Sequence, residues 1–331
     1  MSLKESLYIF KSGKLSRKDN TLLFTPINEI ENQDNNDSNK KNFLPIEKIK
    51  DIFVFSEITI NSKLINFLAS NGIIVHFFNY YGYYTSSLYP REKYLAGELL
   101  IKQVQNYIDN DKRLYLAKCF VLGGIYHIFR NIYKNLSKLE SLDYQTIETQ
   151  VYNAKDIFDV MSIEGKLRKI YYQVYFGISE RTKNPPLDKV NSLISFGNSL
   201  LYSTIITELY HTQLNPTVSY LHEPYVRRFS LALDISEIFK PIIIDTVIKN
   251  LISNDNILED NNFEEDLNYV FLNEEGKKKF LKKYKSKLQE TTYYRKLKRE
   301  VSFNFLIRLE CYRLMKHFME EELYTPLKTW W

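Results

Sequence analysis

His222 opens the run HEPYVRRFSLALDISEIFKPIIID, which ends at Asp245. Ser230 is placed to cap a helix carrying Asp234, Glu237, Pro241 and Asp245. At about 100° per residue, those four positions fall within roughly 80° of one another. Leu231, Leu233, Ile235, Phe239, Ile242 and Ile243 fill the opposite face and suit a core. Carboxylates beside one imidazole, flanked by Arg227 and Arg228, suit a hard or borderline divalent ion such as Mg2+ or Mn2+. Such an ion activates a water or a hydroxyl and stabilises charge on a phosphate. The same stripe also describes a solvated helix face beside a turn histidine, and spacing alone leans to that plainer reading.

A second run, MSIEGKLRKIYYQVYFG, starts at Met161. Met161, Leu167, Ile170 and Val174 form its apolar stripe. Glu164 lies beside that stripe, with Arg168 four residues on and Tyr171 and Tyr175 beyond. A Glu–Arg pair at this spacing is commonplace on helix surfaces. Gly165 costs about 1 kcal/mol in a helix interior relative to Ala, which predicts close approach of a backbone or a ligand. The other histidines read more plainly. His76 lies in an apolar strand, and His127 and His317 lie in amphipathic helices, so all three read as packed or surface residues. His211 and His222 flank TQLNPTVSYL, with Asn215-Pro216 as turn initiator. No phosphate-cradling glycine loop, nucleophile elbow or cysteine pair is present.

The elements that must position these residues divide at Pro90. Before it, Leu7 to Phe10, Thr21 to Thr25, Ile52 to Phe55, Ile73 to Phe78 and Tyr83 to Leu88 read as strands. One helix, Ser62 to Ser70, interrupts them and is closed by Asn71-Gly72. The Asn-rich insert from Asn28 to Asn42 has no apolar surface to bury and reads as a loop. After Pro90 the apolar period changes from two to three and four. Helices are predicted over Leu95 to Ile108, Leu114 to Asn135, Ala154 to Phe176, Asp188 to Glu208, Ser230 to Asn250, Glu274 to Gln289 and Tyr293 to Glu322. The expected class is α+β, with a small β-rich domain over residues 1–90 and a larger all-α domain over residues 91–331.

Composition sets outer bounds. Hydrophobic residues make up 44% of the 331 positions and charged residues 26%, as in an ordinary globular chain. Two cysteines, Cys119 and Cys311, exclude a disulfide scaffold and a thiolate zinc site and fit a reducing compartment. Neither a signal peptide nor an apolar run of membrane-spanning length is present, so a cytoplasmic protein is expected. A net charge of +5 does not indicate nucleic acid by itself. The stretch from Lys277 to Arg299 is densely basic and interleaved with Phe280, Tyr284, Tyr293 and Tyr294. It reads either as a DNA-facing surface or as a helix with lysines outward and aromatics inward. Trp330-Trp331 is expected to pack.

Taken together, these runs resemble the CRISPR-associated integrase nuclease, the first-numbered and near-universal protein of spacer adaptation. LYIFKSGKLSRKDNTLLF looks like that family's opening hairpin. The segment from Ile46 to Glu92 is similar to the rest of its β-domain, in detail to the subgroup found with type I-B systems. IEGKLRKIYY, NPPLDKVNSLISFGNSLLYS and LNPTVSYLHEPYVRRFSLALDISEIFKPIIID match three later blocks in the same order. The resemblance runs from about Leu7 to Leu323. It implies that Glu164, His222 and Glu237 are metal ligands, with Asp234 the further acid of the helix. Ser219 stands where the family usually has Gly, and Ile238 replaces a common second Glu.

The resemblance further implies a Mg2+- or Mn2+-dependent endonuclease and integrase acting on double-stranded and branched DNA. It implies a homodimer joined through its β-domains and a small ferredoxin-like partner, the second-numbered adaptation protein. Arg168, Arg227, Arg228, Lys240 and Arg295 are expected to meet phosphates on grounds of charge and adjacency. Two rival classes are a catalytically silent DNA-binding subunit of the same assembly and an unrelated metal-dependent phosphoesterase.

Overall fold

Strand-forming residues near the start of the chain build two sheets, and the computed structural model describes residues 4–27, 42–133, 143–183, 185–225, 228–266 and 269–329. The chain divides into two units, Met1–Lys93 and Tyr94–Trp331.

In the first unit, one sheet has the order β1 (Glu5–Ile9), β5 (Ile49–Val54), β7 (Val75–Phe78), β8 (Tyr84–Leu88). The first three strands run parallel and β8 antiparallel. The second sheet has the order β4 (Asn42–Pro45), β3 (Thr21–Pro26), β2 (Gly13–Lys18), β6 (Ile58–Thr59). The opening hairpin is therefore β2–β3, turning through Asp19 at φ 51°, while β1 pairs in parallel with β5. Parallel neighbours need crossovers, and α1 (Ser62–Ser70) lies in the one between β5 and β7. Asn61 caps α1 by accepting the Leu64 N–H at 3.0 Å. Leu15, Leu22, Ile52, Leu64 and Leu68 form the fully buried centre of this unit.

The second unit begins with α2 (Gly97–Ile108), α3 (Asn110–Ile132), α4 (Tyr144–Asn153), α5 (Ile157–Phe176) and α6 (Lys189–Tyr210). Asp109, Asp143, Asp156 and Asp188 each cap the helix that follows, accepting N–H groups that no earlier turn can satisfy. Gly177 closes α5 at φ 78°, a conformation that side-chain-bearing residues rarely adopt. α7 (Ser230–Phe239) passes through a π-helical turn, Lys240–Asp245, into α8 (Thr246–Asn254). The continuous helix expected over Ser230 to Asn250 is thus interrupted. Pro241 has no N–H to give to the Glu237 carbonyl, so the α-register cannot continue there.

The remaining elements are the hairpin β9 (Phe263–Asp266) and β10 (Tyr269–Leu272), then α9 (Glu274–Gln289). The hairpin β11 (Thr291–Tyr294) and β12 (Arg299–Ser302) and helix α10 (Phe303–Phe318) follow. The helix expected from Tyr293 to Glu322 starts ten residues late. TTYY is β-prone, and Lys298 at φ 51° makes the turn before Ser302 caps α10. The larger unit is mainly helical with two small hairpins. Phe280 and Tyr284 of α9 are fully buried and Tyr294 of β11 nearly so, while Tyr293 of β11 is half exposed. The basic stretch therefore turns most of its aromatics inward. Among the described residues, no helix is long and apolar enough to cross a membrane. All of the Asn-rich insert except Asn42, and Trp330-Trp331, lie outside the described residues.

Candidate active site

The site is built around the break at Pro241. One face of α3 follows the carbonyl groups of α7 and the π turn at a spacing of three and four. Gly124 lies against the Glu237 carbonyl, where a Cβ would come within 2.7 Å of its oxygen. His127 Nδ1 donates to the Ile238 carbonyl at 3.0 Å, and its Nε2 accepts the Thr329 N–H at 3.3 Å. Asn131 Nδ2 donates to the Pro241 carbonyl at 2.8 Å and to the Tyr171 hydroxyl at 2.9 Å, which ties α5 to the same corner. These contacts fix the backbone that carries Glu237. His127 is accordingly a packed residue; burial pushes its pKa down to about 3, although the Ile238 carbonyl opposes that shift. Gly124 and Asn131 were not singled out from the sequence. The pair Gly123-Gly124 inside an apolar helix is the signal that marks this approach.

Asp234 shapes the loop before α7. It is fully buried. Its carboxylate accepts the backbone N–H groups of Tyr220 at 2.6 Å, Leu221 at 3.0 Å and His222 at 3.0 Å. The same carboxylate accepts from His222 Nδ1 at 2.8 Å. Ser219 donates its hydroxyl to the His222 carbonyl at 2.6 Å, so the departure from Gly at that position adds a bond within the loop. Arg113 holds the loop from α3, donating to the Tyr220 carbonyl at 3.0 Å and pairing with Glu223 at 2.8 Å. Burial disfavours a charged His222, but Asp234 and Glu237 outweigh it and raise the imidazole pKa above its usual value.

Glu164 on α5 and Glu237 on α7 converge on one guanidinium. Arg168 Nε pairs with Glu164, and its Nη2 donates to Glu237 Oε2 at 2.7 Å. Lys240 takes the other oxygen of Glu237. Burial alone would raise the Glu237 pKa; Lys240, Arg168 and His222 reverse the sign and hold it well below the carboxylate range. The Arg168 side chain is only 11% exposed, so its guanidinium is spent on carboxylates and does not lie on an open surface. Asp245, one π turn beyond Lys240, is almost fully buried and its pKa is pushed up to about 6 by burial, against the pull of Arg168 and the Tyr171 hydroxyl. Lys183 and Arg181, from the segment after α5, add positive charge near the same carboxylates.

The structure thus brings together Glu164, His222, Glu237 and Asp234 with Arg168 and Lys240. Among the described residues, no three acidic, histidine or cysteine side chains are gathered tightly enough to hold an ion as they stand, and Arg168 and Lys240 are paired with the carboxylates. Arg228 and Arg295 are exposed, and Arg227 lies outside the described residues. Gly165 meets no atom that a Cβ would touch, so the close approach expected there is made at Gly124 instead.

Comparison with known proteins gives this arrangement a family. Residues 7–286 match the family model described as CRISPR associated protein Cas1. A CRISPR-associated endonuclease Cas1 of Thermodesulfovibrio yellowstonii is 45% identical over 333 residues, covering 98% of this chain and 99% of that protein. A Cas1 protein of Thermotoga maritima superposes with a TM-score of 0.85 at 35% identity, covering 98% of this chain and all of the other. The fold alone is shared with a casposase bound to its integration product, at a TM-score of 0.83 and 18% identity, covering 99% of this chain and 94% of that one. The chain therefore belongs to the Cas1 family of CRISPR-associated proteins.

Proposed function

We propose that the chain is a metal-dependent DNA endonuclease and integrase of CRISPR adaptation, with Glu164, His222 and Glu237 holding a Mg2+ or Mn2+ ion. The observation that carries this reading is the His222–Asp234 pair. A buried carboxylate accepting from Nδ1 leaves Nε2 as the lone-pair nitrogen of the neutral ring, the arrangement that supports metal-ligating histidines. The donor set fits: two carboxylates and one imidazole suit a hard or borderline divalent ion, and both carboxylates already attract cations. Bound there, the ion would supply Lewis-acid stabilisation of charge on a phosphate.

The protein's own groups do the rest. Asp234 holds the imidazole and three consecutive N–H groups of its loop in one orientation. Because its pKa is raised, His222 sheds a proton when its ring becomes a ligand, which makes binding weaker at lower pH. Lys240 and Arg228, with Arg227 and Arg295, would meet the DNA backbone, drawing duplex and branched substrates by a salt-sensitive attraction. The reaction would be attack of a fragment's 3′-hydroxyl on a phosphodiester at the repeat boundary. In this reading the chain pairs as a homodimer through residues 1–90, carries its site in the helical region from residue 91, and works with a small ferredoxin-like partner. The test is strand transfer by Glu164→Ala, His222→Ala and Glu237→Ala, each checked for wild-type folding and DNA binding. Each should transfer no strand; retained transfer in any one removes that residue from the ligand set.

A further inference from the structure

Arg168 occupies the space between two carboxylates assigned to a metal, so an ion entering there must displace a buried cation. The two unmet bonding needs around it indicate where that cation goes. Arg168 Nη1 is buried without a hydrogen-bond acceptor, although Nε and Nη2 are both engaged. Both oxygens of Asp245 are likewise buried without a close hydrogen bond, although the Tyr171 hydroxyl lies near enough to stabilise their charge. A buried carboxylate left in this state is costly, by about 1–3 kcal/mol or more, and such groups call for an explanation. Beyond Glu164, Tyr172 and Glu237, Asp245 is the further group that stabilises the charge of Arg168, and Arg168 is the first of the cations that stabilise the charge of Asp245.

The local geometry allows the exchange. On α5, Glu164, Arg168, Tyr171 and Tyr175 are spaced four, three and four residues apart and share a face. Tyr171 stacks on Tyr175 at 5.1 Å, and both rings lie within the field of Asp245. On the facing element, the π turn places Asp245 eight residues beyond Glu237. Arg168 thus has Glu164 and Glu237 as closed ion-pair partners and Asp245 as a further acid within its field.

We propose that Asp245 is the docking point to which the Arg168 guanidinium transfers when a divalent cation replaces it between Glu164 and Glu237. The inference rests on the metal reading given above. Asp245 is then a positioning residue: it keeps Arg168 buried and neutralised, and so lowers the free-energy cost of opening the carboxylate pair. No bond is made or broken; one ion pair is exchanged for another.

The experiment is Mn2+ binding to the full chain, measured by electron paramagnetic resonance, in wild type, Asp245→Asn, Arg168→Gln and the double variant, with Glu237→Gln as the site control. Asp245→Asn should raise the Mn2+ Kd about tenfold in the wild-type background, on the scale of groups that support metal ligands, and less than about twofold when Arg168 is absent. No change, or an equal change in both backgrounds, overturns the transfer. Wild-type binding that is absent or insensitive to Glu237→Gln instead overturns the metal reading itself, and the transfer with it. If Asp245→Asn does not fold, the wild type carries the test through the 15N resonance of Arg168 Nε, identified by its loss in Arg168→Gln. A signal that moves on saturation with Mg2+ yet stays protected from exchange supports transfer to a buried acid. An unmoved signal, or one that loses protection, overturns it.

Discussion

Glu208 and Glu310 are buried more deeply than Glu237, yet they sit in a different kind of environment. Glu208 accepts from Arg308 Nε at 2.6 Å and Asn304 Nδ2 at 3.0 Å. Glu310 accepts from the Tyr324 hydroxyl at 2.5 Å, the Leu327 N–H at 3.1 Å and Arg313 at 3.0 Å. Those donors include neutral groups from the chain's own C-terminal turn, and each arrangement is complete. Around Arg168 the pattern differs: one guanidinium is shared by two acids, a lysine adds a second cation, and Arg168 Nη1 and both Asp245 oxygens make no close hydrogen bond. The first two acids are held by complete sets of donors, whereas the cation-rich cluster around Arg168 is where the proposed exchange would take place. The histidines divide the same way. Burial keeps His76 and His127 neutral, each down to about 3, whereas Asp234 overrides burial at His222.

The comparison breaks most readily at its structural pole. Glu310→Ala strands Arg313, the Tyr324 hydroxyl and the Leu327 N–H, and should cost about 3–5 kcal/mol in denaturant unfolding. Glu237→Ala should cost less, because Arg168 keeps Glu164 as a partner. Saturating Mn2+ should raise the melting temperature of Glu310→Ala but not that of Glu237→Ala. Equal costs, or equal responses to Mn2+, would erase the distinction. Gly124→Ala probes the junction between the two kinds of region. Its Cβ meets backbone at the Glu237 carbonyl, so α7 must shift, at about 1–3 kcal/mol in thermal unfolding and with slower strand transfer.

A pH titration sharpens the histidine contrast. His76 and His127 have folded pKa values below that of a free imidazole, so the unfolded chain binds more protons as pH falls through about 6.5. Their stabilising contribution is complete above that pH and is lost below it, at about 1.4 kcal/mol per pH unit for each, down toward their folded values. Denaturant melts at pH 6.5 and 5.0 should differ accordingly, and His127→Gln should reduce the slope. The smallest effect belongs to Ser219→Ala. It removes one hydrogen bond to the His222 carbonyl and should cost about 1 kcal/mol, with a several-fold loss in transfer rate.

Much of this is legible in the sequence. The change from period two to period three and four marked the passage from β-rich to helical chain, because sheet faces and helix faces impose those repeats. The stripe of Asp234, Glu237 and Asp245 and the Glu164–Arg168 spacing placed the acids on two helices. Three things were not legible. Lys240–Asp245 reads as ordinary helix, and only the loss of the Pro241 N–H, seen against Gly124 and Asn131 of a distant helix, makes it a π turn. The β-prone run TTYY borders an amphipathic pattern that reads as helix from Tyr293 onward, and it pairs as a hairpin strand instead. Arg168 looked like a surface cation because i,i+4 pairs usually are; that it also reaches Glu237, 69 residues away, is a tertiary fact with no local signal.

The cation-rich cluster of Glu164, His222 and Glu237 is the proposed metal-dependent strand-transfer centre. Its most direct test is strand transfer on branched DNA by wild type and His222→Ala, in Mn2+ and in EDTA, with the small partner added. Transfer is expected from the wild type in Mn2+ alone, and none from His222→Ala under either condition. Transfer that survives EDTA, or that His222→Ala carries out at the wild-type rate, would contradict it.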